Sequence, residues 1–333
     1  MIAEAGSNHN RDLATALKLI EVAAGAGADA VKFQTYRAEG IYSRHTPNMS
    51  YLTEEGLLQK DETVWDLIKR VEIPWEWHDD LAEHARTAGV DFLSTPFEEE
   101  AVDVLEKVDV PAYKIASYEI THLPLIQRCA ATGKPLLIST GMASLSDIER
   151  ALDAANDAGA TDIMLMHCAI NYPPRFEDLN LRAISTLAQA FQIPIGWSDH
   201  TFGHTAPVVA VALGACAVEK HFTLDRDQEG PDHAFALEPD ALESMIVAIR
   251  ETEASLGSPV KRATENETEM YQKGRRSLGA GRRINVVDPV TADDVAVTRP
   301  GYGIQVHEFD ILIGHKATRT IEEDEVLTWD DFR

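Results

Sequence analysis

The chain has 333 residues, of which 44% are hydrophobic and 26% are charged. This length and composition fit one large barrel-type domain with a small second domain, and they exclude an intrinsically disordered protein. The 55 acidic residues outnumber the 30 basic ones, which gives a formal net charge of −25. Such a charge repels nucleic acid and argues against it as a partner. It also suits a protein kept soluble in high salt, where self-repulsion is screened.

The apolar runs and the cysteines indicate the cellular compartment of the protein. The longest apolar run, residues 206–218, is shorter than the ~18 residues that a membrane span needs, and the first residues lack the pattern of a secretory signal. We therefore expect a cytoplasmic protein with no membrane partner. Cys129, Cys168 and Cys216 are widely spaced and form no CxxC motif, so reduced thiols are expected and a disulfide framework or zinc knuckle is not.

Short apolar runs alternate with longer amphipathic stretches up to about residue 256. The runs predicted as strands cover residues 1–5, 30–34, 91–94, 112–116, 135–139, 163–167, 194–198 and 217–221. Between them the periodicity predicts helices, for example over 13–24, 77–88, 145–158 and 239–256. Strand followed by helix, repeated eight times, predicts an α/β fold of the (β/α)8 type, the TIM barrel. An open doubly wound sheet is the alternative, although no GxGxxG motif opens a helix after the first strand.

The composition changes after Leu256. Residues 257–274 are polar and aperiodic, so we predict a linker between a barrel domain over 1–256 and a β-rich domain over 275–333. Strands of the second domain are predicted at 290–299, 301–303, 311–317 and 327–329. Because about 60 residues approach the lower limit for independent stability, we expect this domain to pack on another surface.

Polar side chains stand at the C-terminal ends of the predicted barrel strands, the face where TIM barrel enzymes place their active sites. A single polar strand end is ordinary, but the set converges on one mouth and includes Gln34, Ser94 and His167. Lysines and serines of the set form a candidate anion cradle, made of Lys32, Lys114, Ser117, Ser139 and Ser198. Ammonium groups and hydroxyl donors are what a phosphate requires. His200 and His221 end the last two strands and are candidate ligands of a divalent metal, Mn²⁺, Mg²⁺ or Co²⁺.

Runs along almost the whole chain resemble the sialic acid synthase (NeuB) family, in the same order. They are AEAGSNHN (3–10), VKFQT (31–35), STPF (94–97), YKIAS (113–117), ISTGM (138–142), HC and YPP (within 167–174), WSDHT (197–201), EKHFT (219–223) and GPDH (230–233). The run RPGYG (299–303) resembles the SAF domain, an antifreeze-like β-clip domain that follows the barrel in that family.

The resemblance implies condensation of phosphoenolpyruvate with an N-acylated hexosamine, giving a nine-carbon 2-keto sugar acid and phosphate. It implies that the anion cradle contacts phosphoenolpyruvate and that His200 and His221 hold the metal. The remaining implied residues are the catalytic acids Glu4, Glu119 and Glu219 and the sugar contacts Tyr172, Asp232 and Arg299. It also implies a domain-swapped homodimer in which Arg299 reaches into the partner's barrel, an arrangement that gives the small domain a second surface.

Three positions depart from the family pattern. Arg11 stands where a glycine is usual, Ile170 replaces a polar residue, and Ala236 replaces a serine. Ile170 removes one expected substrate contact, for which the adjacent Asn171 is the candidate replacement.

The acceptor sugar is the least determined part of the prediction. PWEWH (74–78), YKIASYEITHLPLI (113–126), GPDHAFALEP (230–239) and LTW (327–329) look more like pseudaminic acid synthases than N-acetylneuraminate synthases. They favour a 2,4-diacetamido-trideoxy hexose over N-acetylmannosamine. Two other functions stay open: another phosphoenolpyruvate-dependent sugar acid synthase, which the SAF-like tail disfavours, and a non-catalytic carbohydrate-binding barrel, which the intact lysines and histidines disfavour.

Overall fold

The computed structural model describes residues 1–54 and 56–333, which form two compact units, residues 1–257 and 258–333. The first unit contains eight parallel strands: β1 (Ile2–Glu4), β2 (Ala30–Thr35), β3 (Asp91–Pro96), β4 (Tyr113–Ile115), β5 (Leu136–Ser139), β6 (Ile163–Cys168), β7 (Ile195–Asp199) and β8 (Val218–His221). The strand order is β3-β2-β1-β8-β7-β6-β5-β4, and β3 lies beside β4 to complete the ring. The predicted TIM barrel is confirmed.

Helices follow the strands and cover the outside of the barrel. In the described part of this unit they are α1 (Leu13–Gly25), α2 (Ala38–Ile41), α3 (Ser50–Glu54), α4 (Val64–Val71), α5 (His78–Ala88), α6 (Glu99–Lys107), α7 (Leu123–Ala130), α8 (Leu145–Asp157), α9 (Ala183–Phe191), α10 (Thr205–Ala212) and α11 (Pro239–Leu256). The Asp12 side chain caps α1 by accepting from the Thr15 N–H. Leu19, Ile20 and Ala23 of α1 are fully buried in the core between helices and strands. No helix of the described residues is both long and apolar enough to cross a membrane.

The inside of the barrel is divided into an apolar end and a polar end. Near the N-terminal ends of the strands, Ile2, Ala30 and Leu93 form a buried apolar cluster. Near the C-terminal ends the inward side chains are charged, for example Lys32 of β2 and Glu219 of β8, both at least 97% buried. Because strand residues alternate between the two faces, residues two apart, such as Ala30 and Lys32, both point into the barrel, one nearer each end. The apolar end closes the barrel, so a ligand can enter only from the polar end.

The second unit is built around a short antiparallel pair, β9 (Ser277–Ala280) and β10 (Val295–Thr298). Its helices in the described chain are α12 (Thr268–Gly274) and α13 (Phe309–Leu312), and its core includes Leu278, Ile321 and Leu327. The predicted strand at 290–299 is confirmed only over β10. The segment predicted as a strand over 311–317 begins inside α13, where Phe309 and Leu312, one helical turn apart, pack on the core.

The other two strands predicted in the second domain are also wrong. Residues 301–303 form a turn, and 327–329 lead into a short 3-10 helix, Trp329–Asp331. Strand β9 lies just after the segment predicted as a linker and was missed. Within that segment, residues 257–274, Gly257 ends α11 with a φ of 48°, and the structure then forms a 3-10 turn (Glu265–Glu267) and α12.

Candidate active site

A cavity of about 430 Å³ lies at the C-terminal ends of the barrel strands. The residues of the first unit that the family resemblance implies as catalytic, substrate-binding or metal-binding all line it: Glu4, Lys32, Lys114, Ser117, Glu119, Ser139, Tyr172, Ser198, His200, Glu219, His221 and Asp232. These residues come from seven of the eight strands and the loops that follow them. The topology of the barrel therefore gathers side chains that are more than 200 residues apart in sequence.

Four buried charges meet at the bottom of this cavity. Lys32 Nζ lies 2.9 Å from Glu4 Oε2 and 3.6 Å from Glu219 Oε1. Lys114 Nζ lies 3.5 Å from Glu219 Oε2. Two ammonium groups and two carboxylates compensate one another, which allows all four to stay inside the barrel. The cluster is a local exception to the strongly acidic composition of the chain.

The two carboxylates of the cluster differ in acidity. Burial raises the pKa of Glu4, and the attraction of Lys32 offsets this only in part. Burial also acts on Glu219, but Lys114 and Lys32 outweigh it and hold the pKa of Glu219 well below its usual range. Gln34 Nε2 donates to Glu4 Oε1 at 2.7 Å and fixes its orientation. Glu4 is therefore the carboxyl that exchanges a proton near neutral pH, while Glu219 stays ionised.

Hydroxyl groups stand beside the lysines. Lys114 Nζ donates to Ser139 Oγ at 2.7 Å, and Ser198 Oγ donates to Glu219 Oε1 at 3.3 Å. Ser117 Oγ accepts from the Gly141 N–H at 3.0 Å. A Cβ on Gly141 would lie 2.8 Å from that oxygen and 2.4 Å from the Ile170 side chain, so the close approach requires glycine. The structure thus brings the predicted anion cradle together.

Two buried imidazoles occupy one side of the cavity. The ring centroids of His200 and His221 are 5.3 Å apart, and the Tyr172 ring lies 4.3 Å from that of His200. Burial lowers the pKa of both histidines to about 3, so both are neutral. His200 Nδ1 lies 3.1 Å from the Ala169 carbonyl oxygen, which makes Nδ1 the protonated nitrogen and leaves Nε2 with its lone pair.

The donor set fits a divalent metal. Neutral imidazoles are metal ligands, and His221 Nδ1 is buried with no hydrogen-bond partner among the described residues. The nearest carboxylate is Asp232, whose Oδ2 lies 4.0 Å from His221 Nδ1. No cluster of three His, Cys, Asp or Glu ligands is found in the part of the chain that the structure describes. Two protein ligands with open positions suit an ion that also binds substrate oxygens.

Two further carboxyls face the cavity. Burial raises the pKa of Glu119 to about 8, so this carboxyl is neutral at pH 7 and can donate a hydrogen bond. Asp232 Oδ2 accepts from both the N–H and the hydroxyl of Ser7, at 3.0 and 2.9 Å. These two bonds orient Asp232, and its other oxygen remains an acceptor for a ligand hydroxyl.

One wall of the cavity is apolar. It comes from the segment between β2 and β3 and consists of Ile41, Met49, Leu52, Val64, Leu67, Ile68 and Val71. The four residues of α4 in this set have the spacing i, i+3, i+4 and i+7, which places them on one helix face. A reciprocal hydrogen-bonded cap between Thr63 and Asp66 begins α4. The cavity thus combines a charged floor with a methyl-rich side.

The structure corrects several sequence-based assignments. Ser94 and His167 turn away from the cavity, since Ser94 Oγ bonds Thr35 Oγ1 at 2.7 Å and His167 Nε2 bonds the Leu179 carbonyl at 2.9 Å. The next residues enter instead: Thr95 Oγ1 accepts from Lys32 Nζ at 3.0 Å, and Cys168 lines the cavity. The alternation of strand residues is the signal that could have found both.

The structure also shows where the residues that depart from the family pattern lie. Ile170 lines the cavity, whereas Asn171 is exposed and lines a neighbouring cleft of about 380 Å³, so Asn171 does not replace it there. Ala236 is buried, and Arg11 has a φ of 55° and donates to the Lys69 carbonyl. Arg299 belongs to the second unit, where its Nε donates to the Gly274 carbonyl at 2.7 Å.

Comparisons with known proteins identify the family of the chain. The sequence matches the NeuB family over residues 19–261 and the SAF domain over residues 275–333. It is 39% identical over 329 residues to N,N'-diacetyllegionaminic acid synthase of Campylobacter jejuni, covering 98% of each chain. It is 34% identical over 333 residues to pseudaminic acid synthase of the same organism, covering 100% of this chain and 96% of that one. The legionaminic acid synthase is the more similar of these two relatives, so the expectation of a closest resemblance to pseudaminic acid synthase is not supported.

The fold comparison gives the same family. The crystal structure of N-acetylneuraminic acid (sialic acid) synthetase from Leptospira borgpetersenii superposes with a TM-score of 0.72 at 34% identity. The match covers 80% of this chain and 88% of that chain. The chain belongs to the NeuB family and is a phosphoenolpyruvate-dependent nonulosonic acid synthase, a transferase that acts on an aminosugar and carries a C-terminal SAF domain.

Proposed function

We propose that this synthase joins phosphoenolpyruvate to a 2,4-diacetamido-trideoxy hexose. The observation that carries the proposal is a single cavity that combines two buried lysines with an apolar wall. The lysines suit the phosphate and carboxylate of phosphoenolpyruvate. The wall suits the methyl groups of two acetamido substituents and of a deoxy carbon. N-acetylmannosamine, with one acetamido group and more hydroxyls, suits that wall less well.

Phosphoenolpyruvate is proposed to bind Lys32, Lys114 and the serines of the cradle, Ser117, Ser139 and Ser198. Lys114 Nζ and Ser139 Oγ are within hydrogen-bond distance of each other, so one phosphate oxygen can accept from both. Burial opposes the charge of Lys32, but Glu219 and Glu4 outweigh it and raise the pKa of Lys32. The lysine is thus charged before its anionic ligand arrives.

The proposed reaction forms one carbon–carbon bond and one carbon–oxygen bond from water, and it breaks the carbon–oxygen bond to phosphate. C3 of phosphoenolpyruvate attacks the aldehyde carbon of the open-chain sugar, and the aldehyde oxygen takes a proton. Water adds to C2, and the tetrahedral centre then loses phosphate to leave a 2-keto acid with three more carbons than the sugar. Glu4 is the proposed acid–base residue, because its raised pKa suits proton transfer near neutral pH. Glu219 is proposed to keep the two lysines in place, and Glu119 to donate a hydrogen bond to the tetrahedral centre.

The acceptor is proposed to lie between the imidazoles and the apolar wall. Tyr172 and Asp232 are the proposed sugar contacts, supported by the Tyr172 ring beside His200 and by the fixed orientation of Asp232. His200 and His221 are the proposed ligands of Mn²⁺, Mg²⁺ or Co²⁺. Such an ion, when bound, would supply Lewis-acid polarisation of the aldehyde oxygen.

The proposed assembly is a domain-swapped homodimer in which Arg299 completes the site of the partner subunit. The small size of the second unit and the exposed position of Arg299 support this arrangement. The proposed location is the cytoplasm, where Cys129, Cys168 and Cys216 would stay reduced as they are in the structure.

The acceptor assignment is tested by phosphate release from phosphoenolpyruvate in the presence of Mn²⁺. N-acetylmannosamine is compared with 2,4-diacetamido-trideoxy hexoses of different stereochemistry, at equal concentrations. We expect kcat/KM for one diacetamido sugar to exceed that for N-acetylmannosamine at least tenfold. A preference for N-acetylmannosamine would contradict the acceptor assignment, and the absence of sugar-dependent phosphate release with every acceptor would contradict the function.

A further inference from the structure

A buried ion pair ties together the ends of the two strands that carry the imidazoles. Lys220 Nζ of β8 lies 2.6 Å from Asp199 Oδ2 of β7, and both side chains are 0% exposed. The same ammonium donates to the backbone carbonyl of Thr201. Asp199 and Lys220 are also register partners in the ladder between β7 and β8. His200 follows Asp199 directly after β7, and His221 follows Lys220 within β8. The ion pair that links the two strands is therefore next in sequence to both imidazoles.

The residues on both sides of His200 are held by this link. Asp199 Oδ1 accepts from the Thr201 N–H at 3.1 Å, and Asp199 Oδ2 accepts from the Thr201 hydroxyl at 3.0 Å. On its other side, His200 is held by the Ala169 carbonyl through Nδ1. The position of His200 is thus set by β8 on one side and by the end of β6 on the other.

The ion pair does not face the substrate cavity. Ser198, His200, Glu219 and His221 line the cavity, and the alternation of strand residues places the side chains between them, including Lys220, on the outer face of the barrel. A buried ion pair is weak evidence for stability, because desolvation cancels much of its attraction. Its position suggests a geometric role, since ligands must be held to within about 0.5 Å of their productive geometry.

We propose that Lys220 and Asp199 are positioning residues that fix the separation of the His200 and His221 imidazoles for one shared divalent ion. The proposal rests on the metal assignment made under the proposed function. Neither residue touches the reacting atoms. Their contribution is to connect the two strand ends, so that both imidazoles keep one relative position when the ion binds.

The test removes the link without leaving a buried charge. The double variant Lys220→Met, Asp199→Asn removes both charges together, and the asparagine Oδ1 can still accept from the Thr201 N–H. The readout is the Kd of the metal-free protein for Mn²⁺, measured by electron paramagnetic resonance, next to its Kd for phosphoenolpyruvate. We expect the Mn²⁺ Kd to rise about ten- to a hundredfold, as is usual when a group that orients metal ligands is lost, while the phosphoenolpyruvate Kd stays unchanged.

A matched control separates this effect from the loss of any lysine. Lys134→Met removes a lysine that lies 2.7 Å from Asp109 and 3.3 Å from Glu106, outside the cavity, and should leave the Mn²⁺ Kd unchanged. A wild-type Mn²⁺ Kd in the double variant would contradict the proposal, as would an equal loss of both ligands. If the double variant does not fold, Asp199→Asn alone carries the test, because it removes the carboxylate of the ion pair while the asparagine Oδ1 can still accept from the Thr201 N–H. A wild-type Mn²⁺ Kd in Asp199→Asn would then contradict the proposal.

The outcome can be read separately from the proposed function. If wild-type protein makes the sugar acid without binding Mn²⁺, the positioning role falls and the synthase reaction stands. If the variants weaken Mn²⁺ binding while wild-type protein makes no sugar acid, the positioning role stands and the proposed function falls.

Discussion

Lys114 tests the phosphate assignment because it is fully inside the barrel and has few partners. Its Nζ lies 2.7 Å from Ser139 Oγ and 3.5 Å from Glu219 Oε2, and the side chain is 3% exposed. Lys114→Met keeps most of the volume and removes the charge. A hydrogen bond to a charged group contributes about 1.5–3 kcal/mol, and each 1.4 kcal/mol is tenfold. We therefore expect the KM for phosphoenolpyruvate to rise roughly ten- to a hundredfold.

The assay is steady-state phosphate release. Phosphoenolpyruvate is varied at saturating sugar, and the sugar is then varied at saturating phosphoenolpyruvate. The KM for the sugar should stay near its wild-type value, because the proposed sugar contacts lie on the imidazole side of the cavity. Thermal unfolding of the variant, with Lys134→Met as the control, shows whether the loss of charge opposite Glu219 has disturbed the barrel. An equal rise of both KM values in a folded variant would contradict the assignment of Lys114 to the phosphate and would make it a structural residue.

Four further variants test the carboxyl, metal and assembly assignments. Because the pKa of Glu119 is raised to about 8, the neutral form predominates below that pH, and activity should fall as the pH rises through 8. Glu119→Gln keeps a neutral donor, so its pH–rate profile should lose this alkaline fall; an unchanged fall would contradict the assignment. His200→Ala and His221→Ala should each abolish condensation while keeping the unfolding temperature of the metal-free protein, and near-normal turnover of either variant in chelator-treated buffer would contradict the metal assignment. Arg299→Ala and His221→Ala chains, mixed and allowed to exchange subunits, should regain activity, because one site of a swapped heterodimer carries neither lesion; no recovery despite demonstrated exchange would rule out the swap.

The barrel was predictable because its signals are local and repeated. Strands such as β5 and β6 are short apolar runs, and the helices between strands show regular periodicity, so the sequence predicts β6 at 163–167 where the structure has Ile163–Cys168. The second unit depends on distant pairings. Its strand Ser277–Ala280 has small side chains and is paired with Val295–Thr298, while Leu278 also bonds Ile304 and Leu327 through the backbone. Such long-range pairing leaves little trace in a short sequence window.

The site was predictable in its composition and less so in its details. Sequence places polar residues at the strand ends, but finding which of two neighbours faces the cavity requires following the alternation of inward and outward side chains along each strand. Strand β3 continues to Pro96, two residues beyond the prediction, and in its alternation Thr95 rather than Ser94 reaches Lys32. The opposite pKa shifts of Glu4 and Glu219 were also out of reach, since Glu219 lies near two lysines and Glu4 near one, an arrangement that only the closed barrel defines.

In the proposed reaction, water attacks C2 of phosphoenolpyruvate after its C3 has bonded to the sugar, so that the carbon–oxygen bond to phosphate breaks. Phosphoenolpyruvate labelled with oxygen-18 in the bridging ester oxygen tests this most directly, with a diacetamido-trideoxy hexose as acceptor and mass spectrometry of both products. We expect equal amounts of sugar acid and phosphate, with the label entirely in the phosphate. Phosphate without the label, or phosphate released with no sugar acid formed, would contradict it.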